Sequence, residues 1–121
     1  MNHNFKKLMI WQRAMDLTDY TFDYCKNMPT DERYNLIDQI NRCSCSIPSN
    51  IAEGSGKSTP KHFAEFLSTS LSSSYELETQ LLICERRAYG KADALKRCLE
   101  LVVEVQKMIF SFREYILNSK V

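Results

Sequence analysis

The chain has 121 residues, with 16 Lys and Arg against 15 Asp and Glu and a formal net charge of +1: the size of one domain that encloses a single core without disulfides or metal, and without the positive field of a dedicated duplex-DNA binder. Five cysteines, an odd number, stand at Cys25, Cys43, Cys45, Cys84 and Cys98 with no apolar leader or cleavage site before them, which indicates a reduced, cytoplasmic protein rather than a secreted disulfide scaffold. The most apolar window, Leu99 to Phe112, is interrupted by Glu100, Glu104 and Lys107, which excludes a membrane span.

After a short extended arm, Met1 to Phe5, the residues Leu8, Trp11, Met15, Thr18, Phe22 and Cys25 recur at three- and four-residue steps and predict helix one. It ends near Asn27, because Pro29 disfavours helical geometry at Met28. Thr30, followed by Asp31 and Glu32, reads as the N-cap of helix two. The stripe of that helix is Leu36, Ile40, Cys43, Ile47 and Ile51, and it runs through Pro48 to Gly54. Pro48 lacks an amide donor and crowds the carbonyl of Ser44, so a kink and an unpartnered Ser44 carbonyl are expected. Gly54 and Gly56 are expected to supply a left-handed turn, after which Ser58 or Thr59 caps helix three with Pro60 in the first turn. Helix three carries Phe63, Phe66, Leu67, Ser70, Ser73, Ser74, Leu77, Leu81, Cys84 and Ala88 and ends before Gly90. Helix four, Ala92 to about Asn118, carries Leu95, Leu99, Val102, Gln106, Ile109, Phe112 and Ile116. Nothing alternates with period two and every break is short, so the chain reads as a single all-α domain, 1–121, an up-down-up-down antiparallel four-helix bundle.

Helices one and four hold more apolar residues than one bundle core needs. Met9, Ile10, Leu17, Tyr20 and Tyr24 lie off the stripe of the first, and Leu101, Val103, Val105, Met108 and Phe110 off that of the fourth. Bands this wide point to self-association through these two helices.

The run Phe5-x-x-Leu8-x-x-Trp11-x-x-Ala14-x-x-Leu17, then Gln39, Arg42, Ser46-Ile47-Pro48-Ser49-Asn50-Ile51-Ala52-Glu53-Gly54, Glu65-Phe66 and Tyr75-Glu76-Leu77-Glu78-Thr79-Gln80-Leu81, resembles the bacterial "four helix bundle protein" family. Its members include reading frames inside intervening sequences of 23S ribosomal RNA genes. The resemblance spans nearly the whole chain and implies a bundle assembled into a ring, typically a homopentamer. It also implies kinship with the accessory variability determinants of diversity-generating retroelements, ring-shaped partners of reverse transcriptase with a nucleic-acid-binding surface. Ser72 stands where such sequences usually place a glycine, and the retroelement proteins are conspicuously basic where this chain is not.

Candidate chemistry is sparse. Gly54-Ser55-Gly56-Lys57-Ser58 ends like a phosphate-binding loop, but Ile51 replaces the leading glycine and a helix, not a strand, precedes it. Cys43 and Cys45 diverge by about 200° on a helix, and His3 and His62 are the remaining candidate zinc ligands, so no metal or other cofactor is expected. No serine elbow or Cys-His nucleophile exists. Pairing helices two and three about Gly56 sets Gln39 and Arg42 within a turn of Glu76 and Glu78, so Gln39, Arg42, Asn50, Glu53, Glu76, Glu78 and Gln80 form a candidate structural polar seam, within or between subunits. Lys6, Lys7 and Arg13 at the start, and Arg86, Arg87 and Lys91 at the last turn with Lys96 and Arg97 beyond, are candidate nucleic-acid contacts in two separate patches. The reading is a non-enzymatic, self-assembling accessory or scaffold. A nucleic-acid-binding partner of a reverse transcriptase is the alternative, and an enzyme using Glu53, Glu76 and Glu78 the remote one.

Overall fold

In the computed structural model, which describes residues 4–118, the four amphipathic stretches are four α-helices: α1 (Met9–Cys25), α2 (Asp38–Ser55), α3 (Pro60–Arg87) and α4 (Ala92–Leu117). Helices adjacent in sequence pack together and α4 closes on α1, giving an antiparallel four-helix bundle. Cross-links at matching heights tie each pair: Thr18 to Ser44, Ser46 to Ser73, Glu78 to Gln106 and Arg13 to Glu104. No helix among the described residues is long and apolar enough to cross a membrane.

The core runs the length of the bundle: Leu17, Ile40, Ile47, Ile51, Leu67, Leu77, Leu81, Val102 and Ile109 have essentially no exposed surface. Each such side chain contributes about 1.5–3 kcal/mol by leaving water. The stripes of α2 and α3 face inward as the periodicity predicts, but α1 is rotated. Its buried line is Ile10, Ala14, Leu17, Thr21 and Tyr24, while Met15 and Phe22 of the predicted stripe are exposed. On α4, Leu101 and Val105 belong to the core and Leu99 and Phe112 are half-buried against it. Part of the apolar surplus on these two helices is therefore ordinary core.

The ends of the helices differ from expectation in four places. Of the N-terminal arm, residues 1–3 lie outside the described residues. Phe5–Lys7 is a 3-10 turn rather than an extended strand, with the Asn4 side chain accepting from the Lys6 amide at 3.2 Å. Thr30 caps nothing. A 3-10 turn, Thr30–Glu32, and a π-helical turn, Arg33–Ile37, precede α2, and the wide turn lets the consecutive Leu36 and Ile37 both pack against the core. Gly54 and Gly56 are not left-handed. Gly54 sits inside α2, where a Cβ would stand 2.6 Å from the Phe66 Cβ, so the glycine permits close approach of α2 and α3. The left-handed residues are Ala88 (φ 56°), which caps α3, and Gly90 (φ 71°). Finally, the Ser44 carbonyl freed by Pro48 is not orphaned: the Thr18 hydroxyl donates to it at 3.0 Å. The start of α3 is as read, with Thr59 accepting from the His62 amide at 3.1 Å and Pro60 in the first turn.

Candidate functional site

Small residues let α2 and α3 approach closely, and their hydroxyls fill the seam. Ser46 Oγ meets Ser73 Oγ at 2.9 Å, Ser70 donates to the Ile47 carbonyl at 2.8 Å, and Asn50 Nδ2 donates to the Ser46 carbonyl at 2.8 Å and hydroxyl at 2.9 Å. The pairing of α2 with α3 is thus close to the one the sequence implies, yet the charged residues assigned to the seam do not form ion pairs across it. Gln39 is exposed and donates to Asn35 at 3.2 Å. Arg42 and Glu53 are exposed and in no ion pair among the described residues. Glu76 and Glu78 stand on opposite flanks of α3. Glu76 lies beside Cys43, whose thiol burial above all, and then Glu76, push up to about 11. Glu78 accepts from Gln106 of α4 at 2.8 Å. Gln80 is buried, its Oε1 without a hydrogen-bond partner among the described residues.

The basic residues also sort differently from their spacing. Arg13 is removed from any patch by Asp16 at 2.8 Å and Glu104 at 2.7 Å; these bonds raise its pKa and hold Glu104 low. Arg86, Arg87 and Lys91 are exposed, but exposed Glu85 and Asp93 flank them on either side. Arg97 lies over the Tyr20 ring at 5.1 Å. At the opposite end, Lys6 and Lys7 sit in the 3-10 turn that packs against α2. A helix rises about 1.5 Å per residue, so with Thr18 level with Ser44 this turn is level with the α2–α3 connection, which carries Lys57. Lys61 and His62 follow in an α3 first turn that has no acidic residue. Lys57 lies over the Phe66 ring at 5.0 Å, and with its preceding residues in α2 the Gly-Ser-Gly-Lys-Ser stretch is a helix end, not a phosphate cradle. This gathering of four lysines was not visible in the sequence, because Lys6 and Lys57 are brought together only by the antiparallel turn.

The surface feature that sequence reading missed is a groove between α3 and α4. Its lower hollow, about 480 Å³, is lined by Leu82, Leu99 and Val103 with Glu78, Glu85, Lys96 and Glu100. The upper, about 270 Å³, is lined by Tyr75, Val103 and Phe110 with Gln106, Lys107 and Ser111. Both are open, shaped to take an inserted side chain rather than to enclose a small molecule. Tyr75, Leu82 and Phe110 leave 51, 42 and 49% of their surface exposed. The seven-residue step from Tyr75 to Leu82, off the main stripe of α3, is the signal that marks this second face. A further hollow, about 590 Å³ between α1 and α4, is instead polar, with Asp23, Asp93 and Glu100 beside Lys96 and Arg97.

Four buried thiols, Cys25, Cys43, Cys84 and Cys98, pack in the core and Cys45 is exposed. Burial raises all four, Cys25 to about 12 and Cys98 to about 11. No group of three or more His, Cys, Asp or Glu side chains among the described residues is placed to hold a metal ion.

The family model of the 23S rRNA-intervening sequence proteins matches residues 6–111. A solved structure of a protein of unknown function, from the S23 ribosomal protein family of Bacteroides thetaiotaomicron, superposes with a TM-score of 0.79 at 19% identity, covering 87% of this chain and 98% of that one. At that identity the likeness is one of fold. No curated protein matches. The chain belongs to the 23S rRNA-intervening sequence protein family.

Proposed function

We propose that this member of the family is a non-enzymatic, self-assembling accessory or scaffold protein of the cytoplasm, whose copies pack side by side into the ring, a homopentamer, that the family resemblance implies. The observation that carries the reading is the α3–α4 groove, where Tyr75, Leu82 and Phe110 expose about half of their surface around open hollows. Large apolar side chains left half-exposed along one groove of a small bundle, rimmed by charged residues, mark an interaction surface. Light scattering on the purified chain tests it: the expected mass is about five times 14.1 kDa, and a single species of one chain at micromolar concentration refutes the reading.

A second reading, nucleic-acid binding, is favoured by Lys6, Lys7, Lys57 and Lys61 at one end of the bundle, against Glu53 and Glu65 nearby. A ring whose bundles point the same way would repeat that end once per copy, so that modest phosphate contacts add. Mobility shifts with structured RNA and with duplex DNA at low salt are expected to show binding that weakens steeply with salt. Replacing Lys6 and Lys7 by Ala should flatten the salt slope, while replacing Arg86 and Arg87 should do so less. The absence of any shift leaves a protein partner, such as a reverse transcriptase, as the object of the scaffold. The three carboxylates Glu53, Glu76 and Glu78 share no cleft, since Glu76 and Glu78 diverge to α2 and α4 respectively, and they carry no catalytic proposal.

A further inference from the structure

Two apolar strips lie on opposite sides of the bundle. One is the α3–α4 groove. The other is Met15 and Phe22 on α1, 38 and 42% exposed. Thr18 fixes the direction of the second strip, because its hydroxyl reaches the Ser44 carbonyl of α2 at 3.0 Å. Residues three before and four after it share that flank of the helix, so Met15 and Phe22 border the α1–α2 groove. The four helices pack in the cyclic order α1, α2, α3, α4, which makes the α1–α2 and α3–α4 flanks opposite faces.

An isologous dimer uses one patch that is complementary to itself, whereas two unlike patches on opposite faces suit a heterologous, head-to-tail contact. The strips match in pitch. Met15 to Phe22 and Tyr75 to Leu82 are both seven-residue steps of about 10.5 Å, the spacing of knobs that enter the holes of a neighbouring helix. They match in height as well. With Thr18 level with Ser44 and Ser46 level with Ser73, Phe22 lies between the heights of Tyr75 and Leu82, so a neighbour related by rotation alone, with no slide, brings the strips together within about one helical turn. Charge is mixed on both faces and does not set them against each other: Glu78, Glu85 and Glu100 stand with Lys96 around the lower hollow and Lys107 lines the upper one, while exposed Asp19, the Lys26–Asp23 pair at 3.2 Å and exposed Arg42 of α2 flank the strip.

We propose that the α3–α4 groove of one copy receives the Met15–Phe22 strip of a second copy of this chain, with Phe22 entering the hollow formed by Leu82, Leu99 and Val103. The inference rests on the self-assembly reading and adds to it the two surfaces and their head-to-tail sense. Each copy then offers one groove and one strip, and assembly continues until it closes.

Phe22→Asp blocks the strip and leaves the groove; Leu82→Asp does the reverse. Each variant alone should run as a single chain of 14.1 kDa. An equimolar mixture should give a species of about twice that mass and nothing larger, because the two blocked surfaces cap it. A mixture that stays monomeric, with both variants retaining wild-type helical circular dichroism, overturns the face assignment, as does Phe22→Asp assembling like the wild type. Met15→Glu mixed with Tyr75→Glu repeats the test should either aspartate variant lose its helix content. The wild-type mass separates the two levels of the argument. If the wild type assembles and the mixtures do not complement, the faces are wrong and self-assembly stands; if the wild type is monomeric, both fall.

Discussion

Replacing Thr18 with Val should destabilise the protein only as long as Pro48 is present. The Ser44 carbonyl has no exposed surface to offer water, and Pro48 cannot donate to it. Its donor is the Thr18 hydroxyl at 3.0 Å, which is equally 3.0 Å from the Ala14 carbonyl of its own helix. One proton cannot fully serve both, and Ala14, inside α1, already has the Thr18 amide as its helical donor; the proton therefore belongs on Ser44. Valine is close in shape, so Thr18→Val chiefly strips the carbonyl of its partner, at a cost of about 1–2 kcal/mol. Pro48→Ala restores a backbone donor to the same oxygen and relieves the helix of proline, offset by lost side-chain burial, so it should keep the fold. In that background Thr18→Val should cost under about 0.5 kcal/mol, a coupling of about 1 kcal/mol in a double-mutant cycle. Urea unfolding at one fixed protein concentration reads it, provided the four m-values agree. Equal costs of Thr18→Val in both backgrounds would refute the assignment of this hydroxyl to the proline's missing bond.

Gly54→Ala would place a Cβ 2.6 Å from the Phe66 Cβ and 3.0 Å from Phe63 Cδ1. Overpacking of about 1–3 kcal/mol should outweigh the gain of about 1 kcal/mol in helix propensity and lower the melting temperature; an unchanged or higher one would mean that α2 and α3 have room. A thiol reagent at pH 8 should label Cys45 alone in the native chain and all five cysteines in urea; rapid native labelling of a second site would contradict the burial. Because the folded state raises Cys25 to about 12 and Cys43 and Cys98 to about 11, it holds protons that the unfolded chain releases near about 8.5. Their contribution is therefore present below that pH and lost as pH rises toward the folded values, so urea midpoints should fall between pH 9 and 11. Glu104 has the opposite sign. Arg13 lowers its pKa, and with the pair about half exposed Glu104→Gln should cost less than about 1 kcal/mol at pH 7. That difference should vanish as pH falls through the depressed folded value of Glu104, and a gap persisting at pH 2 would assign the cost to something other than the ion pair.

How much of this was legible depends on how local the determinant is. Thr59 and Pro60 mark the start of α3 without help from the rest of the chain, because a cap and a first-turn proline act on the nearest amides. The stripes of α2 and α3 are legible because their large apolar residues are their core residues. On α1 the core line contains Ala14 and Thr21, both with no exposed surface and the latter donating to the Leu17 carbonyl at 2.7 Å. A count of bulky residues passes over these two and settles on Trp11, Met15 and Phe22 instead. Gly54 shows the same limit: a glycine beside Gly56 signals either a left-handed turn or a close approach, and only the position of Phe66 decides between them. At Ala88 no residue preference announced the left-handed cap, since alanine is a poor choice for that conformation.

The exterior follows from the same rotation. The flank where α1 meets α4 is occupied by the Arg13–Glu104 pair and by Arg97 over Tyr20, contacts that only charged and aromatic residues can make. Of the exposed apolar residues away from that flank, Met15 and Phe22 of α1 border α2 and Phe110 of α4 borders α3. Two apolar bands that look like one wide seam when the helices are read separately become two faces pointing away from each other. A single seam would pair two bundles and stop. In the assembly proposed above, opposed faces would link each bundle to two neighbours, which would make the polar flank between α1 and α4 as much a determinant of that assembly as the apolar strips themselves.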